Sequence, residues 1–160
     1  ECGIKELMLK KIKNIKKFID KNYKWKREVA NIDTHIHPNP TTVHFQTFTP
    51  NIEWLETFAR NKFSKYTISL LKQEPNMLIP KHTDTYYKFK KKFNVKGKVY
   101  RANIFLQDWK PGHYFEVNGR PFVKWKAGQY ILLDQSKPHR SGNFGVVNKY
   151  TAQVTGTLIL

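Results

Sequence analysis

The chain has 160 residues, of which 39% are hydrophobic and 14% aromatic, so it can bury the core of one domain. It is too short for a (β/α)8 barrel, which takes about 250 residues. Its formal net charge of +17 predicts either a polyanionic partner or a compositional bias that also favours solubility.

The excess of positive charge comes mainly from lysine. There are 24 Lys and 5 Arg residues, whereas specific recognition of bases and phosphates favours the planar guanidinium of Arg. Nucleic acid is therefore a candidate partner without sequence-specific recognition, next to an anionic membrane surface or an acidic protein.

The cysteine content and the hydropathy of the chain indicate the cellular compartment in which we expect it. The single Cys2 excludes an internal disulfide and a cysteine-based zinc site, so we expect a reducing, cytoplasmic setting. No apolar run approaches the roughly 18 residues of a membrane-spanning helix. Lysines also interrupt the apolar residues near the start of the chain, which is unlike a signal peptide.

Two helices are predicted in the first third of the chain. In residues 4–19, apolar side chains recur at helical spacing with lysines between them, which predicts an amphipathic helix that packs on a β-domain. Residues 31–50 are rich in Asn, Pro, Thr and His and predict a loop or short edge strands. Residues 53–61 predict a second short helix, with a buried side formed by Trp54, Leu55 and Phe58.

From residue 65 onward, the pattern is that of short β-strands separated by turn residues. Asn118-Gly119 between two β runs predicts a type I′ hairpin. Residues 126–129 and 141–143 predict two further turns, and residues 88–98 predict a charged, mobile loop. The predicted strands are 66–71, 77–79, 99–109, 113–117, 120–125, 130–133 and 150–160.

Helices followed by seven or eight antiparallel strands predict a mainly β fold. The expected architecture is a double-stranded β-helix, a cupin-like jelly roll, with the N-terminal helices packed on one outer face. Residues 1–64 are predicted to form a helical and loop extension on the barrel. Residues 65–160 are predicted to form the catalytic core, in one domain overall.

Two histidine clusters are candidates for a metal site. His35 and His37, after Asp33, have the D-x-H-x-H spacing that opens metal-dependent amidohydrolases. Those enzymes need further ligands from a TIM barrel, for which this chain is too short. We therefore predict a polar loop near the entrance of the domain for these residues.

The second cluster combines His82 and Asp84 with the distant His139. Residues i and i+2 of a strand point to the same side, so His82 and Asp84 can reach one ion. His139 from another strand completes a facial triad of two histidines and one carboxylate, which is typical of non-haem Fe(II) oxygenases. The same ligands would also accept Mn, Co, Ni or Zn in vitro.

The segment from residue 66 to 157 resembles the 2-oxoglutarate- and Fe(II)-dependent dioxygenase superfamily. In that superfamily, an HxD motif and a distal His are followed by a Lys or Arg, and here Lys149 follows His139 by ten residues. A lysine at this position is similar to the prolyl 4-hydroxylase branch. Residues 117–143 carry a motif pattern that resembles the aspartyl/asparaginyl β-hydroxylase branch: V-N-G…W-K-A-G…D-Q-S…H…N.

The resemblance implies Fe(II) as the metal, 2-oxoglutarate as cosubstrate and O2 as oxidant, with His82, Asp84 and His139 as ligands. It also implies that Lys149 pairs with the far carboxylate of 2-oxoglutarate. Thr151 shares a strand face with Lys149 and is expected to line the same pocket.

Other polar residues are expected to face the same cavity. Arg101 and Asn103 alternate with apolar residues in one predicted strand, and a polar row is costly to bury without a purpose. We expect these two residues to contact cosubstrate or substrate. Tyr86, Tyr87 and His113 are further candidates.

The resemblance implies an oxygenase that hydroxylates a protein or peptide side chain. One alternative keeps the chemistry and changes the substrate to a nucleic acid base or a small molecule. Another is a non-catalytic jelly-roll module that binds a metal. The intact triad followed by Lys149 argues against a decayed site.

Overall fold

The computed structural model describes residues 24–29, 42–48 and 50–159. Ten β-strands and two α-helices lie within these ranges. In chain order they are β1 (Lys26–Val29), β2 (Thr42–Phe48), α1 (Glu53–Lys62), β3 (Phe63–Gln73), β4 (Met77–His82), α2 (Tyr87–Phe93), β5 (Tyr100–Phe105), β6 (His113–Val117), β7 (Arg120–Phe122), β8 (Tyr130–Asp134), β9 (His139–Asn143) and β10 (Lys149–Leu158).

The strands form two antiparallel sheets. The larger sheet has the order β1-β2-β3-β10-β5-β8 and the smaller sheet the order β4-β9-β6-β7. This is the mainly β jelly roll that the strand pattern predicts, with two short helices. Among the described residues, no helix has both the length and the apolar character needed to cross a membrane.

Helix α1 covers the outer face of the larger sheet. Its buried side chains, Trp54, Leu55, Phe58 and Ala59, confirm the predicted second helix and its buried side. Burial of each large apolar side chain contributes about 1.5–3 kcal/mol. Acidic residues in the first turn and basic residues in the last turn also suit the helix dipole. The sheet residues that share this cluster include Ile68, Leu70, Ala102, Ile104, Ala152 and Val154.

The inner face of the same sheet carries a polar row, because neighbouring residues of a strand point to opposite sides. On β5, Ala102 and Ile104 belong to the cluster beneath α1, which leaves Arg101 and Asn103 on the inner face. On β10, Thr155 is the register partner of Arg101, and Gln153 is that of Asn103. The interior between the sheets is therefore polar at this level.

The hairpin between β6 and β7 has the predicted turn. Asn118 and Gly119 adopt φ angles of 52° and 78°, and Val117 pairs with Arg120. Two successive positive φ angles define the type I′ geometry.

Two local predictions were wrong, and the first concerns residues 141–143. They lie within β9, not in a turn, because β9 is hydrogen-bonded to both β4 and β6. The Asn143 side chain, which suggested a turn, is buried and donates to the carbonyl oxygens of Gln73 and Val147 at 2.9 and 2.8 Å. Tertiary pairing thus overrides the local turn signal.

The second concerns residues 88–98, where the structure has α2 and not only a loop. Phe89 is buried and packs with Tyr86 and Val99, with Phe93 against the cluster. Apolar side chains at helical spacing therefore lie among the lysines, whose number concealed the pattern.

Several predictions lie outside the described residues: the helix at 4–19 and the His35/His37 loop. The boundary between an extension (1–64) and a core (65–160) stays a prediction. Of the first part, β1, β2 and α1 are described, and β2 pairs with β3 in the larger sheet.

Candidate metal centre

Two histidines meet at one end of the smaller sheet, on the neighbouring strands β4 and β9. His82 is the last residue of β4 and His139 the first of β9, and the two are register partners. Their ring centroids lie 4.4 Å apart. The ladder between β4 and β9 therefore sets the spacing of the two imidazoles.

Each imidazole is oriented by a backbone carbonyl two residues earlier. Nδ1 of His82 lies 2.8 Å from the carbonyl oxygen of Pro80, and Nδ1 of His139 lies 3.0 Å from that of Lys137. When Nδ1 carries the proton and donates it to the carbonyl, Nε2 keeps its lone pair. Such a contact fixes the tautomer and the ring orientation of metal-binding histidines.

Asp84 supplies the carboxylate, two residues beyond the end of β4. Its Oδ1 lies 3.7 Å from Nε2 of His82, and its Oδ2 lies 3.5 Å from Nε2 of His139. One ligand atom from each residue lies within 4.8 Å of the others, so the group could hold a metal ion. Two imidazole nitrogens and one carboxylate oxygen suit a first-row divalent metal.

Arg101 is the charged residue that lies nearest to the candidate ligand Asp84. Its Nη1 donates to Oδ2 of Asp84 at 2.7 Å, and its Nε donates to Oγ1 of Thr155 at 3.0 Å. The guanidinium also lies 5.0 Å from the ring centroid of Tyr86. These three contacts hold Arg101 against the carboxylate.

The surroundings set the protonation of the triad. Interaction with Asp84 raises the pKa of His82, whereas burial lowers the pKa of His139. Burial opposes ionisation of Asp84, but His82 and Arg101 outweigh it and keep the pKa of this carboxyl below its usual range. Asp84 is thus a carboxylate and His139 a neutral imidazole, which are the forms that bind a metal.

The triad opens into a cavity of about 230 Å³ between the sheets, which we call the inner cavity. Asn103 is 2% exposed, and its Nδ2 has no hydrogen-bond partner. Its Oδ1 accepts from Nε2 of Gln153 at 3.4 Å. A buried donor without a partner is costly, so a ligand atom in this cavity would satisfy it. The other lining residues include Thr151, Ser141, Phe115, Leu71 and Ile79.

Lys149 lies behind the wall of the inner cavity. It is 2% exposed, and its Nζ donates to Oγ of Ser141 (2.5 Å), the carbonyl oxygen of Tyr114 (2.6 Å) and Oε1 of Gln73 (3.3 Å). All three acceptors are neutral, and no carboxylate of the described residues lies within salt-bridge distance. Burial lowers the pKa of Lys149 to about 7.

A second, larger space adjoins the first and opens towards the surface. This outer chamber has a volume of about 570 Å³ and shares Gln46, Asp84 and Arg101 with the inner cavity. Strands β2, β3 and β10, the loop after β4 and helix α2 provide the rest of its walls. The metal centre therefore lies at the boundary between the two spaces.

The structure brings most of the predicted site residues to the inner cavity: His82, Asp84, His139, Arg101, Asn103 and Thr151. Lys149, which was predicted to bind the cosubstrate, does not line the cavity and lies behind Ser141. His113 lies away from the cavity, where its Nε2 contacts the carbonyl oxygen of Val147 at 3.1 Å.

Sequence reasoning missed Ser141 and Gln73, which surround the Lys149 ammonium. Ser141 was assigned to a turn, so its position two residues after His139 on one strand face was not used. Gln46 was also missed, because residues 31–50 were interpreted as a loop or edge strands.

Comparison with solved structures supports the fold. The chain is similar to the non-heme alpha-ketoglutarate dependent epimerase SnoN from nogalamycin biosynthesis, with 11% identity and a TM-score of 0.66 over 96% of this chain and 75% of that one. Also similar are KdgF from Halomonas sp. (6% identity, 86% and 88% of the two chains, TM-score 0.49) and a predicted oxalate decarboxylase from Thermotoga maritima (14%, 84% and 95%, 0.47).

No protein-family model matches the sequence, and neither does any of the curated proteins. The identities to the solved structures are low, so the likeness concerns the fold alone. The chain thus has a cupin, or double-stranded β-helix, fold with a His–Asp–His group that could hold a metal ion.

Proposed function

We propose that the protein is a non-haem Fe(II) dioxygenase that uses 2-oxoglutarate and O2 to hydroxylate a C–H bond of its substrate. The observation that carries the proposal is the Lys149 ammonium, buried without a carboxylate partner behind the cavity that holds the triad. A metal centre and a buried cation in one interior fit the two ends of a keto diacid. The fold shared with SnoN, described as alpha-ketoglutarate dependent, is consistent with this chemistry.

The residues of the triad would hold the metal on one face. Nε2 of His82, Nε2 of His139 and a carboxylate oxygen of Asp84 are the donor atoms, and the backbone carbonyls behind the imidazoles keep them aimed. Arg101 fixes the Asp84 carboxylate through Oδ2. When bound, Fe(II), 2-oxoglutarate and O2 supply the oxidation, in which one oxygen atom enters the substrate as hydroxyl and the other enters succinate as CO2 leaves.

The cosubstrate would lie between the metal centre and Lys149. The Ser141 hydroxyl stands between the ammonium and the cavity, so a carboxylate reaches Lys149 beside this hydroxyl or in its place. The spare Nδ2 donor of Asn103 is available to a ligand oxygen. Leu71, Ile79 and Phe115 line part of the same cavity, and apolar surroundings lower the local dielectric constant and strengthen charged contacts.

Anaerobic titration with Fe(II) and 2-oxoglutarate tests the proposal. We expect the weak visible charge-transfer band of a metal-chelated keto acid, and we expect it to be lost in His139→Ala. His113→Gln, which alters a buried histidine outside the group, should retain it. If no band appears, or if the band persists in His139→Ala, the proposal is wrong.

The role of Lys149 is tested separately. In Lys149→Met we expect the cobalt spectrum of the metal centre to stay unchanged, while the 2-oxoglutarate concentration that half-saturates the band rises at least tenfold. Equal half-saturation in the variant and the parent would remove Lys149 from the cosubstrate site.

Turnover of 2-oxoglutarate to succinate completes the test, with peptide, nucleoside and free amino-acid pools as substrates. The sequence resemblance predicts a protein or peptide side chain as the substrate, with a nucleic acid base or a small molecule as the alternatives, and the substrate pools distinguish these classes. A protein that binds Co(II) but yields neither band nor succinate would be the non-catalytic metal-binding module.

A further inference from the structure

We infer that the outer chamber binds single-stranded nucleic acid, with lysines of α2 on the phosphates and exposed rings against the bases. The inference rests on the proposed function in one respect, because the chamber opens onto the triad and its occupant would be the substrate. The binding itself requires no metal. It is argued from the charge, the rings and the shape of the chamber.

The charge of the chamber is positive. Lys88 and Lys92 line it together with Arg101, and Asp84 is the one acidic residue among its lining residues. Since Arg101 pairs with Asp84 at 2.7 Å, the two lysines remain without a compensating carboxylate in the chamber wall. A phosphate backbone is the kind of ligand that such a wall attracts.

The two lysines also lie on one side of the helix. Lys88 and Lys92 are four residues apart within α2, and both are exposed. Like charges at this spacing weakly destabilise a helix. An anion in the chamber would relieve that repulsion, so the arrangement suits a bound ligand better than an empty solvent-facing surface.

Two large aromatic rings stand at the same chamber. Tyr87 is 68% exposed and Phe48 is 56% exposed, and both line the chamber from opposite elements, α2 and β2. Exposed aromatic side chains beside a cationic groove are the stacking platforms of proteins that bind single strands, and stacking of this kind tolerates any base. This agrees with a chain rich in Lys and poor in Arg, because the planar guanidinium of Arg is the group favoured for specific recognition of bases.

The shape favours a single strand over a duplex. At about 570 Å³ the chamber is within the roughly 300–1,000 Å³ of small-ligand pockets, and it extends inward to Asp84 of the triad. A base can reach a reactive centre at that depth only when it is free of its stack. An acidic peptide would satisfy the lysines but leave the exposed rings without a planar partner.

Fluorescence anisotropy of a fluorescein-labelled ten-nucleotide oligothymidylate, with metal-free protein, tests the inference. We expect Lys88→Gln/Lys92→Gln to weaken binding and to reduce the slope of log Kd against log salt by about 1.4, or roughly 0.7 per phosphate contact of a single strand. The matched control is Lys110→Gln/Lys126→Gln, which removes two exposed lysines outside the chamber and should keep the parent slope.

The rings are tested with the same probe. Tyr87→Ala should weaken binding about five- to a hundredfold, and Tyr87→Phe should restore it, because stacking requires the ring and not the hydroxyl. Phe144→Ala removes an equally exposed ring that does not line the chamber, and it should leave Kd unchanged.

Three outcomes would overturn the inference: no binding of the oligonucleotide, equal loss in the chamber and control variants, or equal affinity for a labelled oligoglutamate peptide. Because the binding assay needs no turnover, its failure is separable from failure of the proposed chemistry. Succinate formation without oligonucleotide binding would reject the chamber inference and leave the oxygenase. Oligonucleotide binding without a charge-transfer band or succinate would reject the oxygenase proposal and leave the chamber inference.

Discussion

Lys149 is a buried amine whose partners are neutral oxygens and aromatic rings. Its ammonium is surrounded by the neutral oxygens of Ser141, Tyr114 and Gln73, and it also lies 5.7 and 5.6 Å from the ring centroids of Phe115 and Trp125. Hydrogen bonds and aromatic faces reduce the cost of desolvation, but they do not supply an opposite charge. Burial therefore disfavours the protonated form of the Lys149 amine in the folded chain, and we expect a bound anion to favour that form.

This burial has a consequence for stability against pH. The pKa of Lys149 lies at about 7 in the folded state, below its ordinary value of 10.5. Between these values the unfolded chain binds one more proton than the folded chain, so the free energy of unfolding rises with pH in this window. Below pH 7 both states are protonated, and the dependence on this residue ends.

Denaturant unfolding of the parent and of Lys149→Met, from about pH 6 to 10, measures this contribution. We expect the parent to gain about 1.4 kcal/mol per pH unit relative to the variant above pH 7. Lys110→Met, which removes a surface cation, should follow the parent. A difference between parent and Lys149→Met that is constant with pH would contradict the assignment.

At the scale of single elements, the site and the main apolar core use opposite faces of one sheet. Helix α1 packs on the outer face, while Arg101 and Asn103 occupy the inner face of β5. Stability and site chemistry are therefore expected to respond to different substitutions.

Leu55→Ala tests this separation, because Leu55 lies on the buried side of α1 and is fully buried. We expect a loss of about 2–5 kcal/mol in the free energy of unfolding, from lost burial and an unfilled cavity. The Co(II) affinity of the folded protein should stay within twofold of the parent. Arg60→Ala, on the exposed side of the same helix, should change stability by no more than about 0.5 kcal/mol. A large change in metal affinity in Leu55→Ala would show that the two faces are coupled.

The helices and strands also show which sequence signals are sufficient to predict secondary structure. Periodicity predicted α1, and the Asn118-Gly119 turn predicted the β6–β7 hairpin, because these signals are local. Strand β9 was missed, since its pairing with β4 and β6 is non-local and Asn143 imitates a turn residue. The triad could be predicted from its spacing, but the depth of Lys149 could not, because burial depends on strands that are distant in sequence.

At the scale of the whole molecule, the candidate ligands join separate parts of the fold. His82 and His139 belong to adjacent strands of the smaller sheet, and Asp84 lies in the loop that leads to α2. Arg101 connects this loop to the larger sheet. A metal at the triad would cross-link β4, β9 and the loop that follows β4 at one end of the smaller sheet, so we expect it to stabilise the folded state.

Thermal unfolding with and without Co(II) measures this linkage. A metal that binds only the folded state contributes about 2.7 kcal/mol when present at 100 times its Kd. The parent and His113→Gln should show this increase, and His139→Ala should not. An equal increase in His139→Ala would place the stabilising metal elsewhere.

The sharing of Asp84 and Arg101 between the two spaces has a further consequence for how such a protein can diversify. Strands β6 and β9 contribute to the inner cavity, while α2, a seven-residue segment, contributes only to the outer chamber. Replacement of α2 would therefore change the wall of the outer chamber, whereas the residues of the His82–Asp84–His139 group, none of which belongs to α2, would be kept. Under the proposed function, a chimera that carries a foreign segment at residues 87–93 would therefore differ from the parent in the ligand that its outer chamber binds while keeping the parent's metal ligands.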